Sequence, residues 1–167
     1  MCGFSGFLNF NPNWGDPLTL LQQMGDQLAH RGPDDSGVWF DNNCGVGLSH
    51  RRLSIIDLSA QGHQPMSSTS GRFVIAYNGE IYNHQELKKE LLQARVIFRG
   101  GSDTEVLLAA IESWGIKQTL QRCIGMFAFS LWDKKEQTLS LVRDRMGEKP
   151  LYYGWQGKGA KRTFLFA

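Results

Sequence analysis

The chain of 167 residues has little cysteine, and its Cys and His residues do not follow the spacings of common metal sites. The three cysteines, Cys2, Cys44 and Cys123, are widely spaced and odd in number, which argues against a disulfide framework. No C-x-x-C or H-x-x-x-H spacing occurs, so neither a structural zinc site nor any other metal site is predicted. These absences favour a protein with reduced thiols.

A marked charge imbalance and long apolar segments are also missing. Lys and Arg number 18 and Asp and Glu 16, a net charge of +2, and no basic run indicates a nucleic-acid or membrane partner. No apolar stretch reaches the length of a bilayer span, and the N-terminus lacks the regions of a signal peptide. With 41% hydrophobic and 20% charged residues, we predict one globular domain over residues 1–167, located in the cytoplasm.

The first half of the chain is predicted to be mainly extended. Residues 3–10 form a strand pattern, and Asp16-Pro17 then supplies an N-cap with Pro at N1 for a helix with one apolar stripe, Leu21, Met24 and Leu28. Further short strands are predicted at 37–41, 44–49, 53–56 and 72–78. The last of these contains a continuous apolar run, which is typical of a strand covered on both faces.

Helices are predicted in the middle of the chain and strands again near its end. Two capping boxes, Asn83 with Glu86 and Ser102 with Glu105, open predicted helices. A short helix at 116–122 precedes two predicted strand pairs, 126–133 with 138–144 and 151–155 with 163–167. This order favours an α+β layered domain. Because residues 163–167 are still an apolar run, we expect the chain to be a piece of a longer protein.

Cys2 is the first candidate for chemistry. Initiator methionine is normally removed when the second residue is small, which would leave Cys2 with a free α-amine beside its own thiol. An α-amine has a pKa of about 7.7–8.0 and a thiol one of about 8.5, so the amine can serve as the general base for the thiol. The alternative is that Cys2 is a small buried residue at the start of a strand.

Several motifs occur in order along the whole chain. The segments are Met-Cys-Gly-Phe-Ser-Gly-Phe at 1–7, His-Arg-Gly-Pro-Asp at 30–34, Ser-His-Arg-Arg-Leu-Ser-Ile-Ile-Asp at 49–57, Tyr-Asn-Gly-Glu-Ile-Tyr-Asn at 77–83, Gly-Ser-Asp-Thr-Glu at 101–105, Phe-Ala-Phe at 127–129, and Arg-Asp-Arg-Met-Gly-Glu-Lys-Pro-Leu-Tyr-Tyr at 143–153. Each motif alone is weak, but the ordered set is specific. Together the motifs resemble one family, the N-terminal glutaminase domains of class II amidotransferases of the asparagine synthetase type.

The resemblance implies a fold and a catalytic mechanism. The fold is a four-layer αββα sandwich of the N-terminal-nucleophile hydrolase type, and the nucleophile is Cys2. The oxyanion of the tetrahedral intermediates would be bound by the Asn78 side-chain amide and the Gly79 backbone N–H. Asn78-Gly79 is also a strong signal for an ordinary hairpin turn, and both interpretations can hold together.

The same resemblance implies how glutamine is recognised. Arg52 would bind the α-carboxylate through a bidentate contact, and Asp103, with Glu80, would bind the α-ammonium. For Asp103 the alternative is a first-turn acid favoured by the helix dipole. The remaining implied pocket residues contribute backbone and are Leu53, Ser54, Ile55 and Ile56.

Complete members of the family continue into a C-terminal synthetase domain, and that domain, not this one, would bind ATP and Mg²⁺. For residues 1–167 we therefore expect no cofactor, L-glutamine as substrate and the synthetase domain as partner. The ammonia acceptor stays open between aspartate, a sugar acid and another carboxylate. Two alternatives of other classes are a non-catalytic glutamine-sensing module, which retention of Met1 would favour, and a penicillin acylase-like amidase.

Overall fold

The computed structural model describes residues 1–54, 59–159 and 162–167. No helix within these ranges is long and apolar enough to span a bilayer. The elements along the chain are β1 (Gly3–Leu8), α1 (Pro17–Asp26), β2 (Asp35–Asp41), β3 (Val46–Arg52), β4 (Met66–Ser67), β5 (Phe73–Ile81), α2 (His84–Gln93), α3 (Asp103–Trp114), α4 (Ile116–Arg122), β6 (Gly125–Asp133), β7 (Thr138–Arg143), β8 (Tyr153–Gln156) and β9 (Thr163–Phe166).

The strands form two antiparallel sheets that pack face to face. The first sheet has five strands in the order β2-β3-β1-β9-β8, and the second has four in the order β4-β5-β6-β7. Helix α1 covers the outer face of the first sheet, and α3, flanked by α2 and α4, covers that of the second. The result is the predicted four-layer αββα sandwich.

Strand β5 is buried on both faces, as its apolar run predicts. Phe73, Ile75 and Tyr77 pack against the helices. Val74 and Ala76 face the first sheet and contribute to the layer between the two sheets. Alternate residues of one strand therefore belong to two apolar layers, because successive side chains of a strand point to opposite faces. We call these the helix layer and the inter-sheet layer.

The inter-sheet layer contains a buried histidine. His50 on β3 lies against β5, and its Nε2 is 2.9 Å from the carbonyl oxygen of Tyr77. Because a carbonyl can only accept, Nε2 carries the proton, while the buried Nδ1 has no partner in the described parts of the chain. Burial lowers the pKa of His50 from its ordinary value of 6.5 to about 4. The imidazole is thus a neutral link between the sheets.

All three predicted helix starts are confirmed, and the predicted side-chain cap bond is confirmed at two of them and wrong at the third. Asp16 caps α1 by accepting from Thr19 N at 2.7 Å, and Ser102 caps α3 by accepting from Glu105 N at 3.2 Å. Asn83 does precede α2, but its side chain makes no cap bond. Instead it bonds the Arg122 carbonyl and the Ile124 N–H, and so attaches α2 to the end of α4.

Two expectations about extended segments require correction. No strand forms at Leu53 and Ser54; β3 continues to Arg52 because it stays paired with β2 up to Asp35, and the chain then leaves the sheet. Ile55 and Ile56 lie outside the described residues. There is also no turn at Asn78-Gly79, since β5 runs through both and pairs with β6 as far as Ile81.

Candidate active site

A pocket opens at one end of the inter-sheet layer. Three of the residues around it share strand faces with the layer itself: Arg52 lies two residues from His50, Asn78 two residues from Ala76, and Met126 two residues from Ala128. The fold therefore directs these side chains inward. The described residues around the pocket are Met1, Cys2, Arg52, Leu53, Gly62, Gln64, Tyr77, Asn78, Gly79, Glu80, Ser102, Asp103, Thr104, Met126 and Lys149.

The Cys2 thiol lies against the backbone of Leu53. Its Sγ is 3.3 Å from the Leu53 N–H donor and 3.6 Å from the Leu53 carbonyl oxygen. Arg31 Nε, from the 30–34 motif, donates to the Cys2 carbonyl oxygen at 3.1 Å, which fixes the backbone of Cys2. Cys2 is half-buried, so the thiol is held in place and still reaches the pocket.

The side chain of Asn78 faces the pocket without a hydrogen-bond partner in residues 1–54, 59–159 and 162–167. The residue is only 5% exposed. A buried amide normally finds a partner, because an unpaired donor loses its bonds to water. An unpaired Asn78 amide is therefore available to a bound group.

The N–H of Gly79 lies on the outer edge of β5. The N–H groups of Tyr77 and Ile81 point to that same edge, where they are bonded by the side chains of Gln64, at 2.7 Å, and Asp103, at 3.0 Å. Between them, Gly79 N–H meets no acceptor from the described chain. A side chain at Gly79 would overlap the backbone of β6 at Met126 and Phe127, so the glycine is required by close strand approach and not by a turn.

Arg52 extends from the end of β3 into the pocket wall and is 7% exposed. Its Nη1 donates to the Ser59 carbonyl oxygen at 2.9 Å. A Cβ at Gly62 would overlap the guanidinium, so Gly62 provides the space in which the Arg52 side chain lies. The segment after β3 thereby holds the cation in one orientation.

Asp103, at the start of α3, is 6% exposed and bonded to β5. Its Oδ2 accepts from the Tyr77 hydroxyl at 2.7 Å and from Ile81 N at 3.0 Å. Burial, together with the neighbouring Asp103 carboxylate, raises the pKa of Tyr77 well above its ordinary value, so the phenol stays a donor. The second oxygen, Oδ1, has no partner within the described ranges, and the residue lines the pocket.

The structure thus brings together Cys2, Arg52, Leu53, Asn78, Gly79, Glu80 and Asp103 around one pocket. Ser54 is not among the lining residues, and its N–H is bonded to Asp34 Oδ2 at 2.7 Å. Ile55 and Ile56 lie outside the described residues. The positions implied by the sequence motifs therefore converge, apart from this stretch after Leu53.

Several lining residues were not identified from the sequence. Gln64 fixes the Tyr77 N–H, and its Nε2 is 3.4 Å from Thr104 Oγ1; nothing in the sequence around Gln64 signals this. Lys149 lies in the 143–153 motif, to which no role had been assigned. Its place inside a matched motif was the sequence signal that could have identified it.

Cys44 and Cys123 lie outside the pocket. Burial raises the pKa of the Cys123 thiol to about 11, and burial, with Asp41 beside it, raises that of Cys44. Thiols with raised pKa values are poor nucleophiles near neutral pH. Cys2 is therefore the cysteine placed for chemistry.

The fold is the four-layer sandwich of the N-terminal-nucleophile hydrolase type. The structure is similar to that of glutamine phosphoribosylpyrophosphate amidotransferase from B. subtilis complexed with ADP and GMP, with a TM-score of 0.74 over 99% of this chain and 41% of that chain. The sequence identity is 20%, so this similarity concerns the fold.

Sequence comparison gives the family. The model of the glutamine amidotransferase domain family matches residues 1–167, and the chain belongs to that family. It is 39% identical over 168 residues, 99% of this chain, to glutamine-hydrolyzing asparagine synthetase 3 of Bacillus subtilis (strain 168). It is 40% identical over 162 residues, 92% of this chain, to amidase chry2 of Gibberella zeae.

The chain is homologous to the glutaminase domains of asparagine synthetases. It spans about a quarter of these relatives' length, 26% of the first and 24% of the second.

Proposed function

We propose that the chain hydrolyses the side-chain amide of L-glutamine to glutamate and ammonia, with Cys2 as nucleophile after removal of Met1. The observation that carries this proposal is that the Cys2 thiol faces the same pocket as two hydrogen-bond donors, the Asn78 amide and the Gly79 N–H, which have no acceptor in the described chain. With Met1 attached, the Cys2 nitrogen is an amide and cannot act as a base. Removal of Met1 converts it into an amine.

The reaction then proceeds through a thioester. The Cys2 amine takes the thiol proton, and the thiolate attacks the side-chain amide carbon of glutamine. The resulting oxyanion accepts hydrogen bonds from Asn78 and Gly79. The protonated amine gives its proton to the nitrogen, the C–N bond breaks, and ammonia leaves. Water, deprotonated by the same amine, adds to the thioester; the C–S bond breaks, and glutamate and the free thiol are released.

Charges at the other side of the pocket would select the amino-acid end of glutamine. The Arg52 guanidinium suits the α-carboxylate, and its orientation is fixed by Ser59 and Gly62. Asp103 Oδ1 and the Glu80 carboxylate suit the α-ammonium. This pairing of opposite charges favours an amino-acid substrate over the neutral side chains that a penicillin acylase-like amidase binds.

We further propose that the ammonia is used by a synthetase domain of the full-length protein, that this domain and not residues 1–167 uses ATP and Mg²⁺, and that the protein works in the cytoplasm. Aspartate is the acceptor suggested by the asparagine synthetase relative. The sequence identity to the amidase relative, 40%, is about the same as that to the asparagine synthetase, 39%. Identity therefore does not single out aspartate, and a sugar acid or other carboxylate stays an alternative acceptor.

The test uses protein whose loss of Met1 has been verified by intact mass. It should release ammonia and glutamate from glutamine in equal amounts, and Cys2→Ala should abolish this activity. Cys123→Ala serves as the control, because its thiol is outside the pocket, and should retain it. A second arm inserts a glutamate between Met1 and Cys2 so that Met1 is retained.

The retained-Met1 protein should be folded and inactive, because the Cys2 nitrogen stays an amide. Activity in that protein, or in Cys2→Ala, would overturn the proposal. Glutamine binding without turnover in the Met1-free protein would favour the glutamine-sensing alternative.

A further inference from the structure

Lys149 is buried beside the catalytic pocket without an anionic partner. The residue is 4% exposed, and its Nζ contacts Met1 Sδ at 3.0 Å. A thioether sulfur is a weak acceptor, whereas an ammonium carries three donors. No carboxylate of the described chain forms an ion pair with it. Burying a cation without a paired anion costs free energy, so this position calls for an explanation.

The loop that carries Lys149 is built to hold it in place. The Asp144 carboxylate accepts from four backbone N–H groups, those of Phe127, Met146, Glu148 and Lys149, at 2.9–3.2 Å. Arg143 Nε donates to the Lys149 carbonyl oxygen. These bonds attach the loop to β6 and β7 and fix the backbone from which the Lys149 side chain extends.

The position of Lys149 is defined relative to the N-terminus. Its ammonium touches the side chain of the residue that is removed, and the Met1 sulfur lies at most about 6 Å along the chain from the Cys2 nitrogen. After removal of Met1, that nitrogen is the α-amine, and the thioether contact of Lys149 is gone. The ammonium then lies within about 9 Å of the amine, with nothing of Met1 between them.

We propose that Lys149 is a positioning residue whose charge keeps the Cys2 α-amine neutral, so that the amine can accept the thiol proton at neutral pH. A nearby cation disfavours a second cation and favours the thiolate. This inference rests on the proposed function, since it requires Cys2 to be the N-terminal residue. It adds a role for Lys149, for which the hydrolysis scheme alone has no use.

Other charged groups face the same amine from neighbouring elements. Arg31 contacts the Cys2 carbonyl, and Arg52 from β3, Glu80 from β5 and Asp103 from α3 line the pocket. In the glutamine complex, the substrate carboxylate offsets Arg52 and the substrate ammonium offsets Glu80 and Asp103. Lys149 and Arg31 have no counterpart on the substrate, so both charges act on the amine in that complex. Variants of Lys149 measure the part that comes from Lys149.

The experiment measures pH profiles of Met1-free protein in three forms: parent, Lys149→Met and Lys149→Arg. Lys149→Met keeps the length of the side chain and removes its charge. The apparent pKa of the acidic limb of the kcat profile should rise by about 1, as expected for a unit charge several ångströms away. Lys149→Arg should keep the low pKa. Alkylation of Cys2 by iodoacetamide provides a second readout that needs no turnover. Its apparent pKa should likewise be higher in Lys149→Met than in the parent and in Lys149→Arg.

Lys135→Met is the matched control, since this exposed lysine lies in the turn at the far end of β6 and its loss should not move the profile. If Lys149→Met does not fold, Lys149→Gln carries the same test. An unchanged acidic limb in an active Lys149→Met protein would overturn the inference, as would a raised glutamine KM with no change in the profile. A parent protein without activity would instead overturn the proposed function.

Discussion

The two apolar layers of the sandwich differ in what they contain. The helix layer is formed by carbon-rich side chains, the Cys123 thiol and one hydroxyl, that of Tyr77, which is bonded to Asp103. The inter-sheet layer holds buried polar atoms that have no partner in the described chain: His50 Nδ1, Ser130 Oγ and Trp132 Nε1. The pocket opens from this second layer. The comparison indicates that the helix-side face of β5 around Ile75 serves stability, whereas the opposite face, at Asn78, carries the chemistry.

The largest effect is expected at Asn78, on the chemical face of β5. Asn78→Ala should lower kcat by about 10²–10³ and leave glutamine binding nearly intact, because the donor acts mainly on the oxyanion. Asn78→Asp should be at least as damaging, since a carboxylate repels that charge. Steady-state kinetics of both variants test this, and near-normal turnover of Asn78→Asp would exclude the oxyanion role.

A matched change on the opposite face of β5 should lower stability and leave turnover unchanged. Ile75→Val removes one methylene group from the helix layer and should cost about 0.5–1.5 kcal/mol in free energy of unfolding. Its kcat should stay at the parent value. A fall in kcat like that of Asn78→Ala would contradict the division between the two faces.

Acid should weaken the inter-sheet layer through His50. The pKa of His50 is about 4 in the folded protein, because burial disfavours the charged form, against an ordinary value of 6.5. Between these pH values the unfolded chain binds the proton and the folded chain does not, so stability is complete above pH 6.5 and declines as pH falls towards 4. The total loss should be about 3 kcal/mol.

Urea unfolding across that pH window tests this contribution. His50→Gln keeps a donor for the Tyr77 carbonyl oxygen and should reduce the slope of the free energy of unfolding against pH. His30→Gln, at an exposed histidine, is the control and should leave the slope of the parent. Equal slopes for the parent and His50→Gln would refute the role assigned to His50.

Effects smaller than that of Asn78→Ala are expected in substrate binding. Arg52→Lys removes the bidentate contact of the guanidinium with the α-carboxylate of glutamine. Asp103→Asn removes the negative charge that faces the α-ammonium. Each should weaken glutamine binding by about 1.5–3 kcal/mol, measured by calorimetry in the Cys2→Ala background, where no turnover occurs. Arg51→Lys is the control, because Arg51 pairs with Asp26 away from the pocket. Unaltered affinity in the two pocket variants would contradict their assignment.

Local signals and ordered motifs predicted much of this molecule, and tertiary contacts explain the rest. The Asp16 and Ser102 caps and the double-sided burial of β5 follow from neighbouring residues alone. The Asn78-Gly79 turn was wrong because pairing with β6 keeps the chain extended, and the Asn83 cap was wrong because its side chain bonds to the chain after α4 instead. Gln64 could not be identified, since its role depends on the edge of a strand distant in sequence.

The central claim is that Cys2, as the N-terminal residue, is the nucleophile that attacks glutamine. The most direct measurement treats Met1-free protein with the glutamine analogue 6-diazo-5-oxo-norleucine and maps the adduct by peptide mass spectrometry. We expect one adduct per chain, on Cys2, formed in step with loss of ammonia release and slowed by added glutamine. An adduct on Cys44 or Cys123, or full activity in protein whose Cys2 is labelled, would contradict it.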